Sequence, residues 1–165
     1  MNQLPEIDQQ VANELIDRKV QLAVAESCSG GLLAHRLTNI AGSSQFFKNG
    51  IITYHNAAKH QLLNIDLQRL QTEGAVNSFV ACAMANNVAK LFESDWGIGI
   101  TGVAGPNQDD HGNPVGTVMI GIASNHAVYH YAHHFIGDRI AIKWQATTHA
   151  LQHLLDHLQQ AHQPH

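Results

Sequence analysis

Four stretches of this 165-residue chain hold residues whose types and spacing could do chemistry. Ser27-Cys28-Ser29-Gly30-Gly31 follows a short apolar run and precedes a helical pattern. Successive N–H groups at such a helix start attract an anion, so the turn could cradle a phosphate or carboxylate. It could equally be a turn whose serines only cap the helix. It matches neither the P-loop nor the dinucleotide pattern, which need more glycines at fixed offsets. Ser43 and Ser44 follow Gly42, with Tyr54 ten and Lys59 fifteen positions beyond Ser44. A serine becomes a nucleophile when a base takes its proton, and lysine serves once burial or charge lowers its pKa. Spacing alone favours a capping serine and a surface lysine.

Thr101-Gly102-Val103-Ala104-Gly105-Pro106 is a small-residue loop after a strand. It could bring backbone N–H groups and the Thr101 hydroxyl to a ligand, or it could be a tight crossover. Arg139, beside Gly137-Asp138, could grip a phosphate with two N–H donors; alternatively Asp138 is a plain helix cap. His149, His153 and His157 stand at i, i+4 and i+8 and so share one helix face. No carboxylate or cysteine of matching spacing completes a ligand set, and Gln152, Gln159 and Gln160 accompany them. The stripe therefore reads as a solvated polar face, and no metal site is expected.

The elements that must position these groups follow from periodicity. Leu4 to Arg18 is a helical pattern, and Val20 to Ala25 a buried strand. Leu32, Leu33, Leu37 and Ile40 form the apolar face of the next helix, which Gly42-Ser43-Ser44 breaks. Phe46 to Tyr54 predicts a strand and Asn56 to Leu63 a helix. Asn77 to Phe92 predicts a helix that Asn77 or Ser78 can cap. Trp96 to Thr101 predicts a third strand. Val115 to Ser124 and Ala127 to Phe135 predict a hairpin, and Asp138 to Gln160 a last helix. Alternating helices and strands with a late hairpin imply an α/β fold, a three-layer α/β/α sandwich on a mixed sheet, in a single domain over 1–165. Ligands in such sheets sit beyond the carboxyl ends of the strands.

Composition narrows the function. Hydrophobic residues make up 44% of the chain, enough for one core. The formal net charge is −4, with nine Lys and Arg, so no basic stripe points to nucleic acid. The start of the chain lacks the pattern of a signal peptide, and no apolar run approaches the roughly 18 residues of a membrane span. Cys28 and Cys82 form no CxxC pair. A reducing cytoplasm is the expected location. Homo-oligomers are common among small enzymes and dimers commonest, but nothing in the sequence fixes the number.

Taken in order, these segments resemble the CinA C-terminal-domain family. Ala25-Glu26-Ser27-Cys28-Ser29-Gly30-Gly31 is similar to its AESC[ST]GG signature, and Ala41-Gly42-Ser43-Ser44 to its AGSS. Gly50 to Lys59 resembles GxxTYxNxAK, and Gly74-Ala75-Val76 its GAV. Thr101 to Pro106 with Pro114-Val115-Gly116-Thr117-Val118 resembles TGIAGP…PVGTV, and Gly137-Asp138-Arg139 its late GDR. The likeness runs from about Val20 to Ala150. It implies an α/β/α amidohydrolase of pyridine nucleotide metabolism that converts nicotinamide mononucleotide to nicotinic acid mononucleotide and ammonia. A non-catalytic nucleotide-binding or interaction module of the same fold is the alternative.

By that resemblance Ser44 is the expected nucleophile, with Lys59 or Tyr54 taking its proton. Ser27, Ser29, Gly30, Gly31, Thr101, Gly102, Gly105 and Arg139 are the expected substrate-binding residues, the Ser27–Gly31 turn and Arg139 being candidates for the phosphate. No metal or organic cofactor is needed for this chemistry. The chain departs from the family pattern at Asn49, His55 and Asn77, and most at Asn107-Gln108-Asp109-Asp110-His111, which replaces a Gly-rich loop. Two acidic residues there would oppose an anionic substrate.

Overall fold

The structure is a computed structural model that describes residues 5–161. Leu4, the expected start of the first helix, lies outside the described residues. The elements run α1 (Glu6–Arg18), β1 (Leu22–Glu26), α2 (Leu32–Thr38), a 3-10 turn (Ser43–Gln45), β2 (Phe47–Ile52) and α3 (Asn56–Leu63). They continue with α4 (Leu67–Glu73), α5 (Ser78–Leu91), β3 (Trp96–Gly102), β4 (Thr117–Ser124), β5 (Val128–His134) and α6 (Arg139–Gln160). The sheet order is β2-β1-β3-β4-β5. β2, β1 and β3 are parallel, while β4 and β5 add antiparallel, so the sheet is mixed as the sequence implies.

Strand β1 is buried throughout and divides its side chains between two cores. Leu22 and Val24 join α1, α2 and α6 on one face. Ala23 and Ala25 join Leu63, Leu70, Val80, Met84 and Val88 of α3, α4 and α5 on the other. That alternation is the period-2 geometry of a strand covered on both sides. Helix α5 lies very close to the sheet: a β-carbon at Gly97 would stand 2.0 Å from the Ala85 carbonyl oxygen, and one at Gly121 2.2 Å from that of Ala81. Only glycine permits this approach at either position.

Caps fix the helix starts. Asn77 accepts from Val80 N at 2.9 Å, and Asp138 accepts from Ala141 N at 2.9 Å. Asp138 is therefore an N-cap. Helix α4 was not foreshadowed by periodicity, because Leu70 is its sole buried residue; Asp66 caps it by accepting from Arg69 N at 2.6 Å.

A buried ion pair ties three helices together. Arg36 donates to both Asp8 carboxylate oxygens, at 3.1 and 2.5 Å, and to the Thr147 and Thr148 hydroxyls. Both charged side chains are 2% exposed. Among the described residues, no helix is long and apolar enough to cross a membrane.

Candidate active site

Three parallel strands deliver the site. β1 ends at Glu26, β2 at Ile52 and β3 at Gly102, all at the same edge of the sheet. A cleft of about 300 Å³ opens there, lined by Ser27, Cys28, Tyr54, Asn56, Lys59, the Gly74–Val76 segment, Thr101, Gly102, Ala104, Asp109 to His111 and Arg139. This is the crevice beyond the strand carboxyl ends that such sheets use.

At its floor Lys59, on α3 and 1% exposed, meets Ser27, the first residue after β1. Lys59 Nζ donates to Ser27 Oγ at 2.9 Å, to the Thr53 carbonyl at 2.7 Å and to the Tyr54 carbonyl at 3.4 Å. Burial disfavours the ammonium and pulls its pKa down to about 8. The geometry then sorts the protons. When Lys59 gives one up, its two remaining N–H groups satisfy the two carbonyls, and its lone pair faces Ser27 Oγ. A lysine so placed can draw the proton from the serine hydroxyl.

The neighbouring Cys28 is no rival. Burial pushes its thiol up to about 12, so thiolate is scarce at neutral pH.

Ser44 is not brought to Lys59. It is exposed in the 3-10 turn ahead of β2, whereas Lys59 follows β2. Strand β2 separates them by six residues, roughly 20 Å of extended chain. Ser44 does not line the cleft. The serine that meets Lys59 is the one in the first signature, not the one in AGSS.

Tyr54 reaches the site differently from the expectation of a base. Its hydroxyl accepts from Arg139 Nη2 at 2.8 Å and makes no bond to Ser27 or Lys59 among the described residues. Arg139 also donates to the Gly105 carbonyl. It thereby joins the start of α6 to two of the expected segments, at the exposed mouth of the cleft.

The start of α2, after the Ser27–Gly31 turn, already holds a carboxylate. Glu26, 1% exposed, places its carboxylate at the start of α2 and accepts from Leu33 N and Ala34 N, each at 2.9 Å. The anion expected at this helix start is thus supplied by the chain itself. Sequence reading quoted Glu26 within a motif without giving it this part. The Ser29 side chain is fully buried and lines no part of the cleft. Gly30 and Gly31, at φ of 59° and 98°, make the turn possible and also lie off the cleft. Among the described residues the N–H groups of Cys28 and Ser29, directly after Ser27, donate to no backbone carbonyl.

Thr101 lines the cleft but spends its hydroxyl on the Ala75 carbonyl, at 2.9 Å, which holds the Gly74–Val76 segment as a wall. Gly102 lines the cleft and Gly105 does not. The acidic 107–111 loop does border the cleft. Asp109 is tied internally, accepting from His111 N, Asn113 N and the Asn113 side chain.

The CinA C-terminal domain family matches residues 4–158 of this chain. The chain belongs to the CinA C-terminal-domain family. A CinA-like protein of Geotalea uraniireducens is 44% identical over 137 residues, covering 83% of this chain and 33% of that protein. One of Picosynechococcus is 42% identical over 151 residues, covering 90% of this chain and 36% of that protein. The chain thus spans about a third of the length of the curated relatives it matches. A crystal structure of a CinA superfamily protein from Klebsiella pneumoniae superposes with a TM-score of 0.92 at 31% identity, covering 96% of this chain and 99% of that one. The competence/damage inducible protein CihA of Agrobacterium tumefaciens gives 0.87 at 31% identity, over 96% and 99% of the two chains. In CinA terms, the first, third and last signature segments supply Ser27, Lys59 and Arg139 to one cleft, while AGSS sits at the far end of β2.

Proposed function

We propose that this CinA domain is an amidohydrolase that converts nicotinamide mononucleotide to nicotinic acid mononucleotide and ammonia, with Ser27 as nucleophile and Lys59 as its base. The observation that carries the reading is the 2.9 Å contact between Lys59 Nζ and Ser27 Oγ, made by a buried lysine whose pKa lies near 8.

The chemistry follows from that pair. Neutral Lys59 takes the Ser27 proton as Oγ attacks the carboxamide carbon, which the pyridinium ring makes electron-poor. The tetrahedral oxyanion would be met by the N–H group of Cys28, the residue after the nucleophile as in other strand–turn–helix hydrolases, with that of Ser29 beside it. The Lys59 ammonium returns its proton to the leaving nitrogen, the C–N bond breaks and ammonia departs. Neutral Lys59 then takes a proton from water, whose oxygen attacks the Ser27 ester. The proton goes back to Oγ as the acid leaves. Arg139, at the mouth of the cleft with Tyr54 holding one of its nitrogens, is suited to the 5′-phosphate.

Asp109 and Asp110 favour a second reading, a non-catalytic interaction module of the same fold, because carboxylates beside the cleft oppose an anionic substrate. Ammonia release from nicotinamide mononucleotide separates the two. The hydrolase reading expects multiple turnovers per chain. No ammonia from folded protein would favour the module instead.

A further inference from the structure

Away from the cleft, β5 and α6 build a ladder of rings. Tyr129, Tyr131, His133 and Phe135 alternate along and just past β5, so they share one face. His157, His153 and His149 share one face of α6. Two residues of strand advance about 6.8 Å and four residues of helix about 6.0 Å, so the two series stay in step. Tyr129 stacks on His157 with ring centroids 4.2 Å apart, and Tyr131 stacks on His153 at 3.6 Å. His133 meets His149 at 4.8 Å and His153 at 5.1 Å. The α6 histidines are thus not a free solvated stripe: His153 and His157 are half-buried against β5, and only His149 is exposed.

The ladder converges at one rung. One ring nitrogen each from His133, His149 and His153 lie within 4.8 Å of one another, and His133 Nε2 stands 2.8 Å from His153 Nε2. We propose that these three side chains form a binding site for a divalent transition-metal ion, Zn²⁺ being the probe of choice, that pins the edge strand β5 to α6. Two helix histidines at i, i+4 with a third from another element give the three-imidazole set that zinc accepts, leaving a fourth position for water. Tetrahedral zinc, with Zn–N of about 2.0–2.1 Å, sets its ligand nitrogens roughly 3.3 Å apart. The present spacing brackets that value, and the exposed His149 has room to rotate into place. An all-imidazole set suits zinc, copper and nickel, and disfavours magnesium and calcium, which take oxygen ligands.

The neighbouring His157 falls outside the group whose ring nitrogens converge. Its Nε2 pairs with the Tyr131 hydroxyl at 2.6 Å.

The test is zinc titration, by calorimetry, of the full chain prepared without an affinity tag and stripped with a chelator. One ion per chain is expected, with a dissociation constant of micromolar or below. His133→Gln and His153→Gln are each expected to weaken binding at least tenfold, while His157→Gln and the double variant His162→Gln/His165→Gln leave it unchanged. At a hundredfold excess over Kd, zinc raises Tm of the wild type by about 5 °C or more. A readout free of variants is the imidazole nitrogen resonances of the wild type, where His133, His149 and His153 shift with one equivalent of zinc. No stoichiometric binding below about 100 µM, or binding that survives His153→Gln and disappears with the two tail histidines, overturns the proposal.

Discussion

Lys59 Nζ donates to Ser27 Oγ across 32 residues of sequence, and a single strand crossing makes the contact possible. β1 ends at Glu26, just before Ser27, β2 pairs beside it in parallel, and the Thr53 N–H bonds the Glu26 carbonyl at 2.8 Å. That bond seats the Thr53 carbonyl, which in turn orients Lys59.

The first consequence is a pH dependence. The pKa of Lys59 is lowered, and its neutral form is the active one, so activity rises with pH. About a tenth of the lysine is neutral at pH 7 and half at pH 8. A plot of kcat/KM for amide hydrolysis is expected to climb about tenfold per unit below pH 7 and to level above pH 8 with an apparent pKa of about 8. Lys59→Arg, which stays protonated, should abolish the limb together with the activity.

Arg139→Lys is expected to act mainly on binding. It loses the paired contacts to Tyr54 and Gly105 and any two-pronged grip on a phosphate. KM for nicotinamide mononucleotide should rise about tenfold with kcat changed much less. Steady-state kinetics on the variant provide the check, and an unchanged KM would remove Arg139 from the substrate.

The sequence made the frame of this site legible and its partners less so. Each core strand and the late hairpin followed from period-2 and apolar runs, since β1 and β3 are buried on both faces and have little freedom in composition. Helix α4 was invisible because one buried leucine leaves no periodic face. The family resemblance picked out segments that line one cleft, but its expected nucleophile, Ser44, lies away from Lys59. Two serine-bearing loops precede Lys59, and only the direction of β2 decides which of them it meets. Glu26 was hidden for a related reason: no spacing rule shows that the start of α2 folds over a carboxylate at the end of a buried strand. His133 and the α6 histidines are far apart in sequence, and no spacing rule joins a strand to a helix that packs on it.

Stability should depend on the Asp8–Arg36 pair more than on any surface charge. Arg36→Ala leaves a buried carboxylate and two threonine hydroxyls without their donor. Loss of about 3–5 kcal/mol is expected, a fall in Tm of roughly 10 °C. Arg18→Ala, which breaks a partly exposed pair with Glu14, should cost about 0.5 kcal/mol or less. Thermal denaturation of both variants beside the wild type makes the comparison.

The measurement that tests the central claim most directly is ammonia release from nicotinamide mononucleotide by Ser27→Ala and Ser44→Ala, each compared with the wild type. The expected result is a loss of about 10³-fold or more for Ser27→Ala, with Ser44→Ala close to wild type. Turnover that survives Ser27→Ala, or that disappears with Ser44→Ala in a folded protein, would contradict the assignment of Ser27 and Lys59 as the reacting pair.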